Sequence, residues 1–205
     1  MNEYQTLYRK FLGFAFIAGP LLWFTGSLFM PLGNLGIGGM IAPFGVALLI
    51  PVFMEMGRWI GQTQPRYGLI CTVLALLTTA ANTAAMFAWA TGEALTNDLG
   101  LTSDQTWVYS SNDPYIFPFG LMATLFPIMV IFIAVGLWRN RLVSRWIPTL
   151  FAIASIGFLV FVVGGYMEET IFPVPVFIWL VTLAPLGWRI LTGDEGTLAG
   201  ETAVA

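Results

Sequence analysis

Between Lys10 and Glu55 the chain passes through residues 11–54 without one charged side chain. A helix or strand in water needs a solvated face, and nothing in this stretch supplies one. A helix that crosses a bilayer needs about 20 predominantly apolar residues, so the run is long enough for two crossings. Lipid is the solvent this pattern suits. The whole chain agrees: 9% of its 205 residues are charged, 58% are apolar and the mean hydropathy is +0.82, whereas a soluble domain carries about 25% charged residues.

"PLGNLGIGG", residues 31–39, divides the first run with a proline and four glycines. Further uncharged runs cover 67–92, 114–138, 146–167 and 170–188. The expected fold is an all-α, polytopic membrane helix bundle with six transmembrane helices, near 12–30, 40–58, 67–91, 115–138, 146–166 and 171–190. Residues 1–191 form one domain, with an outer loop at 92–114. The small, polar segment 192–205 reads as a disordered cytoplasmic tail. A signal peptide would have an apolar core of about 7–15 residues and a small-residue cleavage site. Phe11 to Met30 is longer and no A-x-A follows, so an uncleaved anchor is expected. Tyr4, Leu7, Tyr8 and Phe11 are spaced as one helical face, which predicts a short interfacial helix leading into it.

Charge tests the number of spans. With six, Arg9, Lys10, Arg58, Arg66, Arg139, Arg141, Arg145 and Arg189 all fall on one side. Glu93, Asp98, Asp104, Asp113, Glu168 and Glu169 fall on the other. Lys and Arg are retained in the cytoplasm, so both termini are predicted inside a multi-pass protein of the plasma (inner) membrane. Trp59, Tyr67, Trp138, Trp146 and Trp188 mark the inner boundary, and Trp107, Tyr109, Tyr115 and Tyr166 the outer one.

The same inventory excludes chemistry. No basic run exists, so no nucleic acid partner is expected. The chain has no histidine, the commonest general base and metal ligand. One cysteine, Cys71, rules out an internal disulfide, a zinc cluster and a CxxC pair. No catalytic residue, metal site or cofactor is predicted, and enzyme activity is the less favoured reading.

The three outward-to-inward spans share punctuation. They open "IAPFG", "IFPFG" and "IFPVP" at Ile41, Ile116 and Ile171, and close "GRW", "GLW" and "GWR" at Gly57, Gly136 and Gly187. Two readings follow: a helical hairpin repeated three times, or convergence, since proline suits a first helical turn and Arg with Trp suits the inner boundary.

Four residues are candidates for ligand binding: Glu55, Thr78, Thr79 and Asn82. Glu55 is the one acid within a predicted span. An intramembrane carboxylate marks a proton or cation path in many proteins, but Arg58 three residues on offers a snorkelling ion pair instead. Thr78 and Asn82 are four apart in "LLTTAANTAAMFAWATG", as are Thr79 and Thr83. Asn82 falls near the midplane, where hydrocarbon supplies no hydrogen bond. The stretch reads either as close packing through small residues with interhelical hydrogen bonds, or as a polar pocket for a headgroup or water. Pro20, Pro51, Pro127 and Pro185 should kink their spans.

Outside the spans, Thr102 with Gln105 makes a capping-box pattern for a short helix carrying Trp107 and Val108. Asp113-Pro114 suits the start of the fourth span. Glu168 and Glu169, with Thr170, approach the helix start at Pro173 and Pro175, where the dipole favours negative charge. Turn and cap is the preferred reading over a weak cation site.

"LFPIMVIFIAVGLWRNRLVSRWIPTLFAIASIGFL", residues 125–159, resembles the fourth-to-fifth span region of small uncharacterised bacterial six-span membrane proteins. The resemblance implies a six-span fold and no activity. Three functions stay open. The favoured one is a non-catalytic lipid- or hydrophobic-ligand-binding protein or accessory, complex-forming subunit, with membrane lipids, other membrane subunits or a homo-oligomer as partners. The second is a small transporter or channel with a polar path past Asn82 and Glu55. The third is a lipid-modifying enzyme.

Overall fold

The computed structural model describes residues 3–29, 32, 35–100, 117–164 and 171–193. Every regular element among them is an α-helix: α1 (Glu3–Leu28), α2 (Leu35–Thr63), α3 (Pro65–Leu99), α4 (Phe117–Thr124), α5 (Phe126–Arg139), α6 (Trp146–Gly164) and α7 (Pro173–Thr192). Helices α4 and α5 form one rod with a flaw. Pro127 has no N–H to give to the carbonyl one turn back. Leu125 N–H still bonds the Leu121 carbonyl and Met129 N–H the Leu125 carbonyl, so helical hydrogen bonding continues on both sides of the break.

The rods pack as a closed ring: α1 on α2, α2 on α3, α3 on α4 and α5, α5 on α6, α6 on α7, and α7 back on α1. Glu3–Leu28, Ile37–Thr63, Pro65–Ala88, Leu121–Arg139 and Pro173–Thr192 are five helices long and apolar enough to cross a bilayer, and α6 adds a shorter apolar stretch, Trp146–Val160. Large apolar side chains cover the outside of every rod, among them Phe14, Met40, Leu69, Phe132, Ile153 and Phe177. Water would expel such a surface, and lipid accepts it.

Where the rods meet, the interior is aromatic. Trp23 of α1 and Trp179 of α7 lie 4.8 Å apart by ring centroid. Phe126 of α5 sits 5.7 Å from each, Phe158 of α6 sits 5.5 Å from Trp179, and Phe53 of α2 sits 5.7 Å from Phe126. Helix α3 brings a different surface. Its buried stripe is Gly68, Cys71, Ala75, Thr78, Thr79, Ala81, Asn82 and Met86. Lipid is as apolar as leucine, so helices gain little from hiding methyl groups, and small residues that let backbones approach gain more.

That principle corrects one reading. "PLGNLGIGG" was expected to break the chain through residue 39, yet α2 starts at Leu35 and Gly36, Gly38 and Gly39 are helical. A side chain on Gly38 would collide with the Gly26 carbonyl of α1, and one on Gly39 with Ala90 of α3. These glycines are contact points for two neighbouring helices. Pro43 consequently lies inside α2 rather than in its first turn. Pro173 and Pro175 do occupy the first turn of α7. A second correction concerns the entry: α1 runs unbroken from Glu3, so no separate interfacial helix precedes the first span. Tyr4, Leu7, Tyr8 and Phe11 are all exposed along it.

Helix α3 is 35 residues long, about 52 Å at 1.5 Å per residue. A hydrocarbon core of about 30 Å cannot hold it within the usual range of tilts. Its last turns, residues 92–99, continue as helix into the expected outer loop. The expected features at Thr102, Gln105, Trp107, Val108, Asp113-Pro114, Glu168 and Glu169, and the tail from residue 194, lie outside the described residues.

Contacts between segments gather the bases at one end of the ring. Arg9 Nε donates to the Ile190 carbonyl at 3.1 Å. Gln64, in the α2–α3 turn, donates to Asn140 Oδ1, in the α5–α6 turn, at 3.0 Å. Arg145 stacks 5.9 Å above the Trp138 ring, and Trp138, Trp146 and Trp188 are all exposed there. The glycines that close the three punctuated spans do not sit alike. Gly57 of α2 meets Thr72 of the next rod and Gly187 of α7 meets Gly13 of the next rod around the ring, but Gly136 of α5 meets Ile60 and Tyr67 behind it. A strict threefold would turn all three the same way.

Candidate functional site

Hydroxyls inside this bundle hide on their own helices. Thr72 Oγ1 donates to the Gly68 carbonyl at 2.9 Å, Thr78 to Leu74 at 2.8 Å, Thr83 to Thr79 at 2.9 Å, Ser155 to Phe151 at 2.7 Å and Thr182 to Trp179 at 2.9 Å. The carbonyl one turn back is always within reach, and using it removes the cost of an unpaired hydroxyl in hydrocarbon.

Thr79 has the same option and does not take it. Its Oγ1 is buried without a hydrogen-bond partner, and so is Asn82 Nδ2. The two residues are three apart on α3 and share its inward stripe. Thr79 is fully buried and Asn82 is 6% exposed, so neither group is left to bulk solvent. An unpaired buried amide or hydroxyl costs about 1–3 kcal/mol. The pair can receive a group with a hydrogen-bond acceptor for the amide and either partner for the hydroxyl. Of the four residues singled out in sequence, the structure brings Thr79 and Asn82 together as unpartnered groups, and Thr78 stands beside them with its hydroxyl occupied.

Glu55 is elsewhere. Gly57 faces Thr72 and Gly61 faces Gly68, which sets α2 against α3. In that register Glu55 lies opposite residue 74, and Asn82 is eight residues further, about 12 Å along the axis. Glu55 is 4% exposed and well bonded. Arg58 Nη2 and Trp59 Nε1 both donate to Oε1, at 2.7 and 2.8 Å. The Trp59 ring stacks on Phe16 of α1, centroids 5.8 Å apart, so the cluster also ties α2 to α1. The Arg58 side chain is 66% exposed, as expected of a base that reaches the interface from a buried root. Glu55 and Asn82 therefore do not share one site.

Two further polar atoms are buried without partners, the indole nitrogens of Trp23 and Trp179 at the heart of the aromatic core. Sequence reasoning passed over both. Their signal was position: each lies mid-span, whereas tryptophan gathers at membrane boundaries. Among the described residues, no three His, Cys, Asp or Glu side chains come together as metal ligands.

These features define a helical, membrane-embedded protein with a bonded carboxylate at its basic end and unpartnered polar groups in its interior. Compared with family models, curated proteins and solved structures, the chain matches none.

Proposed function

We propose that the protein is a non-catalytic membrane module that binds a lipid or other apolar ligand within the bundle, at Thr79 and Asn82. The observation that carries this reading is the unpartnered Asn82 amide beside an unpartnered Thr79 hydroxyl, in a helix whose other buried hydroxyls bond their own backbone. An accessory role, with a partner subunit laid over these atoms, is less favoured because the bundle already covers them. A transport path is less favoured too, since Glu55 is bonded to its neighbours and Thr78 to its own helix.

In this proposal the protein sits in the plasma membrane with six spans and both termini in the cytoplasm. The gathering of bases at one end supports that orientation. The likeness of residues 125–159 to small bacterial six-span proteins belongs to the same reading. The test is native mass spectrometry after gentle purification. The wild-type chain should carry one lipid-sized adduct more than Asn82→Leu. A bare wild-type chain, or equal adducts on both, would overturn the proposal.

A further inference from the structure

We infer a second lipid site, apart from Thr79 and Asn82: a groove at the basic end that takes an anionic phospholipid by its headgroup. It needs the helices to be embedded in lipid but does not depend on a ligand at Asn82. A groove of about 520 Å³ lies between α2, α3 and the start of α1. Its rim carries Arg58, Gln62 and the Tyr8 ring, and Leu69 leads from it onto the exposed outer face. Gly57, Gly61 and Gly68 line it where α2 and α3 pack backbone to backbone, so close that a side chain on Gly57 or Gly68 would meet the facing helix.

Charge selects the occupant. Eight Lys and Arg gather at this end, opposed among the described residues by Glu3 and Glu55. Basic pockets between transmembrane helices bind anionic headgroups. Arg58 is placed for this: its guanidinium offers five donors, and Glu55 engages Nη2. The buried carboxylate holds one corner of the guanidinium, and the side chain is otherwise exposed at the rim. The apolar exit past Leu69 favours a lipid, whose acyl chains continue along the outer face, over free phosphate.

Glu55 then has a definite part. It holds Arg58 in place and competes with the phosphate for it, so Glu55→Gln should tighten binding. Gln keeps an acceptor for Trp59 but removes the competing charge. Arg58→Gln should weaken binding about tenfold, the scale of losing a charge-assisted hydrogen bond.

The experiment titrates phosphatidylglycerol and phosphatidylcholine onto delipidated full-length protein and reads bound lipid by native mass spectrometry, with melting temperature as the fold check. Expected are a preference for phosphatidylglycerol, weaker binding in Arg58→Gln, an intermediate Arg58→Lys and several-fold tighter binding in Glu55→Gln. Arg141→Gln removes the same charge from the α5–α6 turn and should bind as wild type. Millimolar inorganic phosphate should not displace the lipid. Equal loss in Arg58→Gln and Arg141→Gln would mean diffuse attraction to the basic end and would overturn the site. So would equal binding of the two lipids, displacement by phosphate, or weaker binding in Glu55→Gln. Should Arg58→Gln fail to fold, Arg58→Lys and Glu55→Gln decide, because they are expected to move in opposite directions.

Discussion

Glu55 and Asn82 are both polar side chains buried in an apolar bundle, and the bundle treats them oppositely. The carboxylate, the costlier group to bury, has an Arg and a Trp donor on one oxygen. The amide, cheaper and deeper in the sequence pattern, has an unbonded nitrogen. Burial in lipid therefore does not by itself say which polar group serves a ligand. The discriminating quantity is whether the protein satisfies the group from its own atoms. A buried charge left unpaired costs more than a buried amide, which can be left open at a cost of about 1–3 kcal/mol that a ligand would return.

Substitutions can break or sharpen this contrast. The largest effect is expected at Gly68, whose added Cβ would meet the backbone of Gly61 and lie 2.6 Å from the Gly57 carbonyl. Gly68→Ala should push α2 from α3 along the stretch both regions share, costing about 3 kcal/mol or more and lowering the detergent melting temperature sharply. Next is Glu55→Ala, which strips Trp59 and Arg58 of their common acceptor. A loss of about 1–3 kcal/mol is expected, moderated because Arg58 reaches solvent. A chemical-denaturation midpoint equal to wild type would show that the pair holds nothing together. Trp23→Phe removes an unpartnered donor and some ring volume, two terms of opposite sign, so a net change within about 1 kcal/mol is expected. A much larger loss would mean that the indole has an acceptor in the membrane. The smallest effect belongs to Thr78→Val, whose hydroxyl bonds only its own helix. Its melting temperature and ligand adduct should match wild type.

Much of this was readable beforehand, and unevenly so. The five long apolar helices, the basic end and the first-turn prolines of α7 follow from hydropathy, charge and proline geometry, which are properties of single segments. The start of α2 was misread because Gly36, Gly38 and Gly39 look like breakers in isolation; Gly38 and Gly39 owe their place in a helix to Gly26 and Ala90 on other helices. The unbroken α1 was missed for the opposite reason: the spacing of Tyr4, Leu7, Tyr8 and Phe11 suggested a separate interfacial helix, yet nothing in residues 3–11 breaks the helix from the span that follows. Glu55 and Arg58 announced their pairing through three-residue spacing. Thr78 and Thr79 could not be told apart by spacing, because adjacent hydroxyls differ only in which one uses the carbonyl behind it. Trp23 and Trp179 carried a positional signal, but their approach to 4.8 Å depends on closure of α7 against α1.

The most direct test of the open amide is a melting-temperature comparison of wild type and Asn82→Leu, each delipidated and then returned to its native lipid extract. If Asn82 is kept unbonded for a ligand, delipidated Asn82→Leu should be at least as stable as delipidated wild type, and only wild type should gain the increment due to this site when lipid returns. An Asn82→Leu protein that is less stable than wild type without lipid, yet gains as much from it, would contradict the account.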